Sequence, residues 1–339
     1  MQLIGLLLSL ALLCAGVTIA NAQSGAEPAQ QFANLGECKL ESGKVINDCR
    51  IGYVTLGKLN RERSNAVLFP TWYGGKSSDI VNYVGADKLV DPARHFVIVV
   101  DSFGNGVSSS PSNSATQSGA AFPAVSIRDM VRMQKRLLDE HFKLAKLHAV
   151  LGISMWAMQT FEWAVWQPDI ATRFVTIAGS PRLAPYDLVL WQTNVSLIRM
   201  MLECNCQTPM QVLAGTRFLN NVADNQNAPY TSKEKILGDI ANNKMEPAIA
   251  YDRLLQLGAM IGHDVTRSFD NDITKAAKQV GNKLLVLVGS KDRVVTPAPA
   301  LEFAKLAGGK ALEFPTCGHD IPRCSADLIN PAVRDFFER

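Results

Sequence analysis

The sequence lacks a strong charge of either sign and any basic stretch interleaved with aromatic residues. Its 339 residues include 34 lysines and arginines against 31 aspartates and glutamates, a net charge of +3 at pH 7. Proteins that bind nucleic acid carry clustered basic residues, so this composition argues against a nucleic acid partner. No histidine stands at metal-ligand spacing from the cysteines, so we expect no metal site there. The chain also lacks internal repeats and long low-complexity stretches.

The first 22 residues contain no charged residue at all. The run from Leu3 to Ala20 is apolar, and Ala20-Asn21-Ala22 matches a small-x-small cleavage site, so we predict a signal peptide over residues 1–22. The missing N-terminal Lys or Arg, and a length about sufficient to span a bilayer, leave a membrane anchor as the alternative. Cleavage predicts a secreted or periplasmic protein without stable membrane association.

Cysteines are few, and after the predicted cleavage, which removes Cys14, their number is even. The other six stand as three sequence-local pairs: Cys38 with Cys49, Cys204 with Cys206, and Cys317 with Cys324. An even count behind a signal peptide is typical of disulfides formed in an oxidising compartment. Local pairing is the simplest of many connectivities, and free buried thiols are the alternative. A Cys204–Cys206 ring requires a particular backbone geometry.

Apolar residues make up 47% of the chain and recur in short runs without alternation. Such runs are typical of parallel strands that are covered on both faces. We predict strands over 44–46, 49–55, 66–69, 95–100, 148–151, 173–178, 283–288 and 311–314, with Asn47-Asp48 as a hairpin turn and 23–36 as a loose N-terminus. Helical patterns, of which 125–140 is the clearest, separate several strands. This alternation predicts an α/β fold with a mostly parallel, doubly wound sheet.

One segment interrupts the alternation of strands and helices. Residues 182–275 contain no convincing strand, and Met, Leu and Ile recur there at helical spacing. We predict a helical cap over 182–275, inserted into a core formed by 23–181 and 276–339.

Ser154 lies between an apolar strand-like run that ends at Ile153 and a helical pattern that begins at once. A serine at such a sharp strand-to-helix turn is typical of the nucleophile elbow of α/β-hydrolases. The turn exposes the hydroxyl and aims the following backbone N–H groups at an acyl oxygen. We therefore predict that Ser154 is a nucleophile and that an acid and a histidine follow it in the chain.

Asp292 and His319 are the candidates for these two partners. Asp292 follows the strand predicted at 283–288, and His319 stands in a glycine-containing loop after the last predicted strand. The order Ser, Asp, His is that of α/β-hydrolases. His319 would act as general base, Asp292 would orient it, and an acyl-serine would form without any cofactor. The alternative for Asp292 is a loop residue that caps the next helix.

The tetrahedral intermediate requires two hydrogen-bond donors. We predict the N–H of Met155 as one and the N–H of Trp72, with Tyr73 as the fallback, as the other. Aromatic residues near the site suggest an apolar pocket, so Tyr73 and Trp156 are also predicted to contact substrate.

The same motifs resemble the homoserine O-acetyltransferase family of α/β-hydrolases over most of the mature chain. The similar segments are Tyr53-Val54-Thr55-Leu56-Gly57-Lys58-Leu59-Asn60, Ser154-Met155 with Met158-Gln159 and Glu162-Trp163-Ala164, His263-Asp264-Val265, and Gly318-His319-Asp320. The resemblance implies that Asp320 meets a substrate amine; loop stabilisation is the alternative. The family has glycines where this chain has Trp156 and Ala157, and its carboxylate-binding cap arginine has no secure counterpart, because Arg199 is displaced.

These departures favour water as the acyl acceptor, as does export, because acetyl-CoA is not expected outside the cytoplasm. We therefore expect an exported serine hydrolase that cleaves a carboxylic ester or a related acyl compound. An O-acyltransferase with the same triad is one alternative, and a non-catalytic binding protein on the same fold is another. The expected partner is a small acyl substrate, and a homodimer stays open.

Overall fold

The computed structural model describes residues 28–221 and 232–338, so the predicted signal peptide lies outside the described residues. An eight-stranded sheet has the order β1-β2-β4-β3-β5-β6-β7-β8. Its strands are β1 (Gln31–Lys39), β2 (Val45–Leu56), β3 (Ala66–Pro70), β4 (Phe96–Val100), β5 (Leu147–Ile153), β6 (Ala171–Ile177), β7 (Leu284–Gly289) and β8 (Lys310–Phe314). In this order, neighbouring strands from β4 through β3 to β8 are parallel. At one edge, β2 pairs antiparallel with both β1 and β4. The mostly parallel sheet predicted from the sequence is confirmed.

The N-terminal edge of the sheet differs from the prediction. Residues 31–36, expected to be loose, belong to β1, and β2 runs without a break through Asn47-Asp48, where a turn was expected. Asp48 has a positive φ of 49° inside the strand, and the pairing of β2 with β1 shifts register at Gly36, beside it. The predicted hairpin turn is therefore a local irregularity in the strand pairing. A polar residue can occupy such an irregular point within a strand.

Helices cover both faces of the sheet. They are α1 (Ser77–Val81), α2 (Ile127–Arg136), α3 (Met155–Trp166), α4 (Pro185–Cys204), α5 (Thr208–Asn220), α6 (Lys233–Ala241), α7 (Pro247–Ile261), α8 (Ile273–Val280), α9 (Ala298–Ala307), α10 (Ile321–Cys324) and α11 (Ala326–Phe337). A π-helical segment, Leu137–Phe142, continues α2. Among the described residues, no helix combines the length and hydropathy needed to cross a membrane.

Alternate residues of each central strand face two separate hydrophobic cores. Leu68 of β3 packs in the core that includes α2, α3, α8 and α9, and Phe69 packs in the core that includes α1 and α11. Burial on both faces explains why these strands are apolar throughout. The rigid sheet between the cores fixes the loops at its edge.

The segment between β6 and β7 is helical, with α4 to α7 over the carboxyl edge of the sheet. The predicted boundary at residue 275 falls inside α8, which packs on α3 and α9 of the core. Residues 222–231 of the predicted cap lie outside the described residues.

The six described cysteines pair as sequence neighbours. Disulfides join Cys38 with Cys49, Cys204 with Cys206, and Cys317 with Cys324. The Cys204–Cys206 ring closes at the end of α4, where Asn205 adopts a left-handed conformation with φ 48°. Asparagine tolerates that conformation better than most residues, which supplies the geometry that the short ring needs.

Candidate active site

Ser154 occupies a strained backbone conformation between β5 and α3. Its φ is 61° and its ψ is −127°, far from the regions that most non-glycine residues adopt. The Ser154 N–H donates to the carbonyl of Ile177 at the end of β6, at 2.9 Å. Such strain persists only where the surrounding structure enforces it, and it is common at catalytic residues.

Gly152, near the end of β5, and Gly179, after β6, make room for this turn. A side chain at Gly152 would meet the Trp156 carbonyl oxygen at 2.4 Å, and one at Gly179 would meet the Ala157 side chain at 2.2 Å. The close approach of strand and helix is thus provided by Gly152 and Gly179, which explains how the chain accommodates Trp156 and Ala157.

The structure corrects our expectation for Trp156, which does not reach a substrate pocket. Its side chain is fully buried and stacks on Phe69, with ring centroids 5.1 Å apart and an interplanar angle of 14°. It packs in the core with α1 and α11, across the sheet from Met155 and Met158.

The structure brings together the three side chains predicted as a triad. His319 Nε2 lies 2.9 Å from Ser154 Oγ, and His319 Nδ1 lies 2.8 Å from Asp292 Oδ2. Asp292 Oδ1 also accepts the N–H groups of Val294 and Val295 at 2.7 and 3.0 Å. Asp292 therefore orients the histidine and caps its own loop at the same time. This hydrogen-bonded chain can remove the proton of the serine hydroxyl.

The two predicted oxyanion donors lie in suitable positions in the chain. Met155 is the first residue of α3, so its N–H has no partner within the helix, and Trp72 follows β3. Over the described ranges, neither the Met155 N–H nor the Trp72 N–H donates a hydrogen bond within the protein. Both N–H groups thus remain available to an acyl oxygen.

A cavity of about 380 Å³ opens at the triad, between the sheet edge and the cap. Ser154 and His319 contribute to its floor, and the predicted contact residues Tyr73 and Asp320 line it together with Trp72. Apolar cap residues form much of the wall: Leu190, Trp191, Leu257 and Met260. The cavity can therefore hold a small apolar group beside the serine hydroxyl.

Sequence reasoning missed the polar side of this cavity. Arg217 and three asparagines, Asn194, Asn220 and Asn221, also line it from α4 and α5. Arg199, the arginine noted in the sequence, is exposed and does not line the cavity. Burial raises the pKa of Tyr73, and the positive charges of Arg217 and Arg253 oppose this shift. No linear motif marks Arg217, because it reaches the cavity only through the packing of α5 on α4.

The histidine of the His263-Asp264-Val265 segment lies away from the triad. His263 is buried beside Glu162 of α3, with Nδ1 3.9 Å from Glu162 Oε2, and Arg128 forms an ion pair with the same carboxylate. Burial lowers the pKa of His263 to about 3, so its ring is neutral. This contact joins the end of the cap to α3, the helix that follows Ser154.

Comparison with known proteins agrees with the fold. A family model described as alpha/beta hydrolase fold matches residues 67–322, which is most of the chain. The chain belongs to the α/β-hydrolase family. The resemblance inferred from the sequence motifs is thus confirmed at the level of this superfamily.

Within the family, relatives include both esterases and acetyltransferases. The chain is 44% identical over 166 residues to a probable esterase of Corynebacterium glutamicum, a match that covers 48% of each chain. It is 39% identical over 170 residues to an ethyl acetate hydrolase of Pseudomonas veronii, covering 50% of this chain and 49% of that protein. A homoserine O-acetyltransferase of Methanococcoides burtonii is 34% identical over 171 residues, covering 45% and 35%. The matches span about half the length of the two esterase relatives.

A solved structure extends the similarity to nearly the whole chain. The structure of an acetylester hydrolase from Corynebacterium glutamicum superposes with a TM-score of 0.81 at 30% identity. The match covers 92% of this chain and 96% of that one. The two chains therefore share their overall fold.

Proposed function

We propose that this protein is a serine esterase that hydrolyses small carboxylic esters. The proposal rests on the hydrogen-bonded chain from Ser154 through His319 to Asp292 at the floor of the cavity. A volume of about 380 Å³ lies near the lower end of the range of about 300–1,000 Å³ for small-molecule sites, which favours a short acyl group. The esterase relatives support the same substrate class.

The reaction then proceeds in two steps, acylation of Ser154 and hydrolysis of the acyl-serine. Ser154 Oγ attacks the ester carbonyl carbon while His319 Nε2 takes the hydroxyl proton, and the N–H groups of Met155 and Trp72 stabilise the oxyanion. His319 returns this proton to the leaving alcohol, and an acyl-serine remains. In the second step, His319 Nε2 takes a proton from water as the water oxygen attacks the acyl carbon, and returns it to Ser154 Oγ as the acid leaves.

Export is part of this proposal. It is supported by the uncharged apolar N-terminus of the sequence and by the three disulfides, since disulfides persist in oxidising compartments. Expression of the full chain in a bacterial host, with N-terminal sequencing of the exported product, tests it. A product that starts at Gln23 supports export, and a cytoplasmic, uncleaved chain contradicts it.

The second candidate is an O-acyltransferase that uses the same triad. Asp320 and Arg217 both line the cavity and carry opposite charges, which suits an acceptor with an amine and a carboxylate. The acetyltransferase relatives favour it too. Transfer instead of hydrolysis would require the site to exclude water from the acyl-serine.

One kinetic experiment separates these candidates. Ester hydrolysis is measured on p-nitrophenyl acetate, butyrate and octanoate, and acetyl transfer on acetyl-CoA with homoserine. We expect hydrolysis to be fastest with acetate, acetyl transfer to be far slower, and Ser154→Ala to lose a factor of about 10⁴–10⁶ in kcat. Faster transfer than hydrolysis supports the second candidate. Failure of a fluorophosphonate probe to label folded wild type would instead indicate a binding protein.

A further inference from the structure

Three residues of the cap helix α7, Asp252, Arg253 and Gln256, contact loops of the core. Asp252 accepts hydrogen bonds from the N–H and the hydroxyl of Ser112 at 2.9 and 2.5 Å. Arg253 and Gln256 contact a different loop, which follows β3 and carries Trp72. This loop, Thr71–Gly75, is the one that supplies the second oxyanion donor in the proposed mechanism.

Gln256 is fully buried and joins two core loops through its amide group. Its Oε1 accepts the Gly74 N–H at 2.7 Å, and its Nε2 donates to the Phe103 carbonyl at 2.9 Å. Gly74 and Gln256 are 182 residues apart in the chain. A buried amide with both ends paired holds its partners in one arrangement, because any displacement leaves a buried polar group without a partner.

Arg253 lies against the same point of the loop. Its guanidinium carbon is 5.2 Å from the centroid of the Tyr73 ring. Gly74 has a φ of +69°, and a side chain there would lie 1.1 Å from Arg253 Nη1. The positive φ and the close approach together require glycine at this position. Two residues one helical turn apart thus hold the middle of the loop against α7.

Hydrogen bonds from the core hold the two ends of this loop. The Thr71 N–H donates to Val100 at 3.0 Å, and Ser102 Oγ donates to the Thr71 carbonyl at 3.2 Å. At the other end, Asn105 Nδ2 donates to the Gly75 carbonyl at 3.0 Å. Between these ends, the Gly75 N–H donates to the Trp72 carbonyl at 2.9 Å within the loop, and the Trp72 ring meets Tyr83 edge-on. The hydrogen bond that ties Gly74 to the rest of the protein comes from Gln256 of the cap.

We propose that Gln256 is a positioning residue that sets the Trp72 N–H at the oxyanion site. The core alone supplies the nucleophile, the base and the acid, and the cap completes the electrostatic part of the site through Gln256. The inference rests on the proposed esterase function. A donor that stabilises only the developing oxyanion affects kcat and leaves ground-state binding unchanged.

The test compares three variants of the full chain with wild type. Gln256→Met removes both hydrogen bonds at similar volume, Gln256→Glu keeps an acceptor for the Gly74 N–H, and Arg253→Ala removes the second contact from a half-buried position. Asp252→Ala is the matched control, because it breaks a cap–core contact of the same helix away from the Trp72 loop. Each protein is assayed for kcat and KM on p-nitrophenyl acetate, for inhibition by methylboronic acid, and for its unfolding midpoint.

We expect Gln256→Met to lose about 10- to 100-fold in kcat at nearly unchanged KM, less than the factor of about 10²–10³ for loss of a whole donor. Boronate affinity, which reports a tetrahedral adduct on Ser154, should fall by a similar factor. Gln256→Glu should recover part of both, and Asp252→Ala should lose stability with kcat unchanged.

Equal kcat losses in Gln256→Met and Asp252→Ala, or unchanged kcat and boronate affinity in Gln256→Met, would overturn the inference. If the Gln256 variants do not fold, Arg253→Ala decides: we expect a smaller kcat loss at constant KM, and an unchanged kcat overturns it. An inactive wild type would refute the proposed function instead, so the two failures are distinct.

Discussion

Replacing Trp156 tests whether this residue serves the core or the substrate. The side chain is fully buried and stacks on Phe69. Over the described residues, its indole N–H finds no hydrogen-bond acceptor. Truncation to alanine therefore breaks no hydrogen bond, and its whole cost comes from lost packing and the cavity left behind.

The magnitude follows from this environment. Replacing a core Trp with Ala costs about 3–5 kcal/mol of the free energy of unfolding, through lost burial and the cavity left behind. Loss of the stacked pair accounts for about 0.5–1.5 kcal/mol of this total. Trp156→Phe keeps an aromatic ring against Phe69 and removes the unpaired N–H. The smaller ring costs about 1 kcal/mol, and loss of a buried donor offsets part of it, so we expect a net change within about 1 kcal/mol.

Urea unfolding followed by circular dichroism measures the free energy of unfolding, and p-nitrophenyl acetate gives kcat and KM. We expect Trp156→Ala to be strongly destabilised with KM close to wild type while folded. Trp72→Ala is the contrast, because Trp72 lines the cavity and should change KM at a smaller cost in stability. The reasoning fails if Trp156→Ala keeps wild-type stability and raises KM, or if Trp156→Phe costs as much as Trp156→Ala.

Three further predictions concern the acid, a disulfide and a histidine pair. Asp292→Asn should reduce kcat by about 10⁴, because the imidazole loses its orienting acceptor; Asp187→Asn, at a buried acid that accepts from Thr296 instead, is the control and should keep kcat. Replacing Cys317 and Cys324 with serine should lower kcat well below the unfolding temperature, because this bond closes the His319 loop; activity that tracks unfolding, as expected for the Cys38/Cys49 double variant, would refute this. Burial lowers the pKa of both His95 and His148 below 6.5, so the unfolded chain binds protons more tightly. The free energy of unfolding should therefore fall as the pH drops below about 6.5, and urea titrations of His148→Gln should show a weaker fall.

The fold class was predictable because burial on both faces leaves a local trace. Strands such as β3 and β7 are apolar at every position, and in the helices between them apolar residues recur at helical spacing. The edge was not predictable in this way. Most residues of β1 are exposed, so its sequence resembles a loop, and Asp48 resembles a turn residue although it lies inside β2.

The sequence by itself determined the candidate triad, a serine after a strand and then an acid and a histidine in order, because short local motifs mark the elbow and the strand ends. Only the tertiary structure decided what surrounds them. Trp156 is buried away from the cavity, Arg217 lines the cavity, and Gln256 forms a hydrogen bond with a loop 182 residues earlier in the chain. These placements depend on how the cap packs over the sheet, and contacts between residues so far apart in the chain have no signal in the spacing of nearby residues.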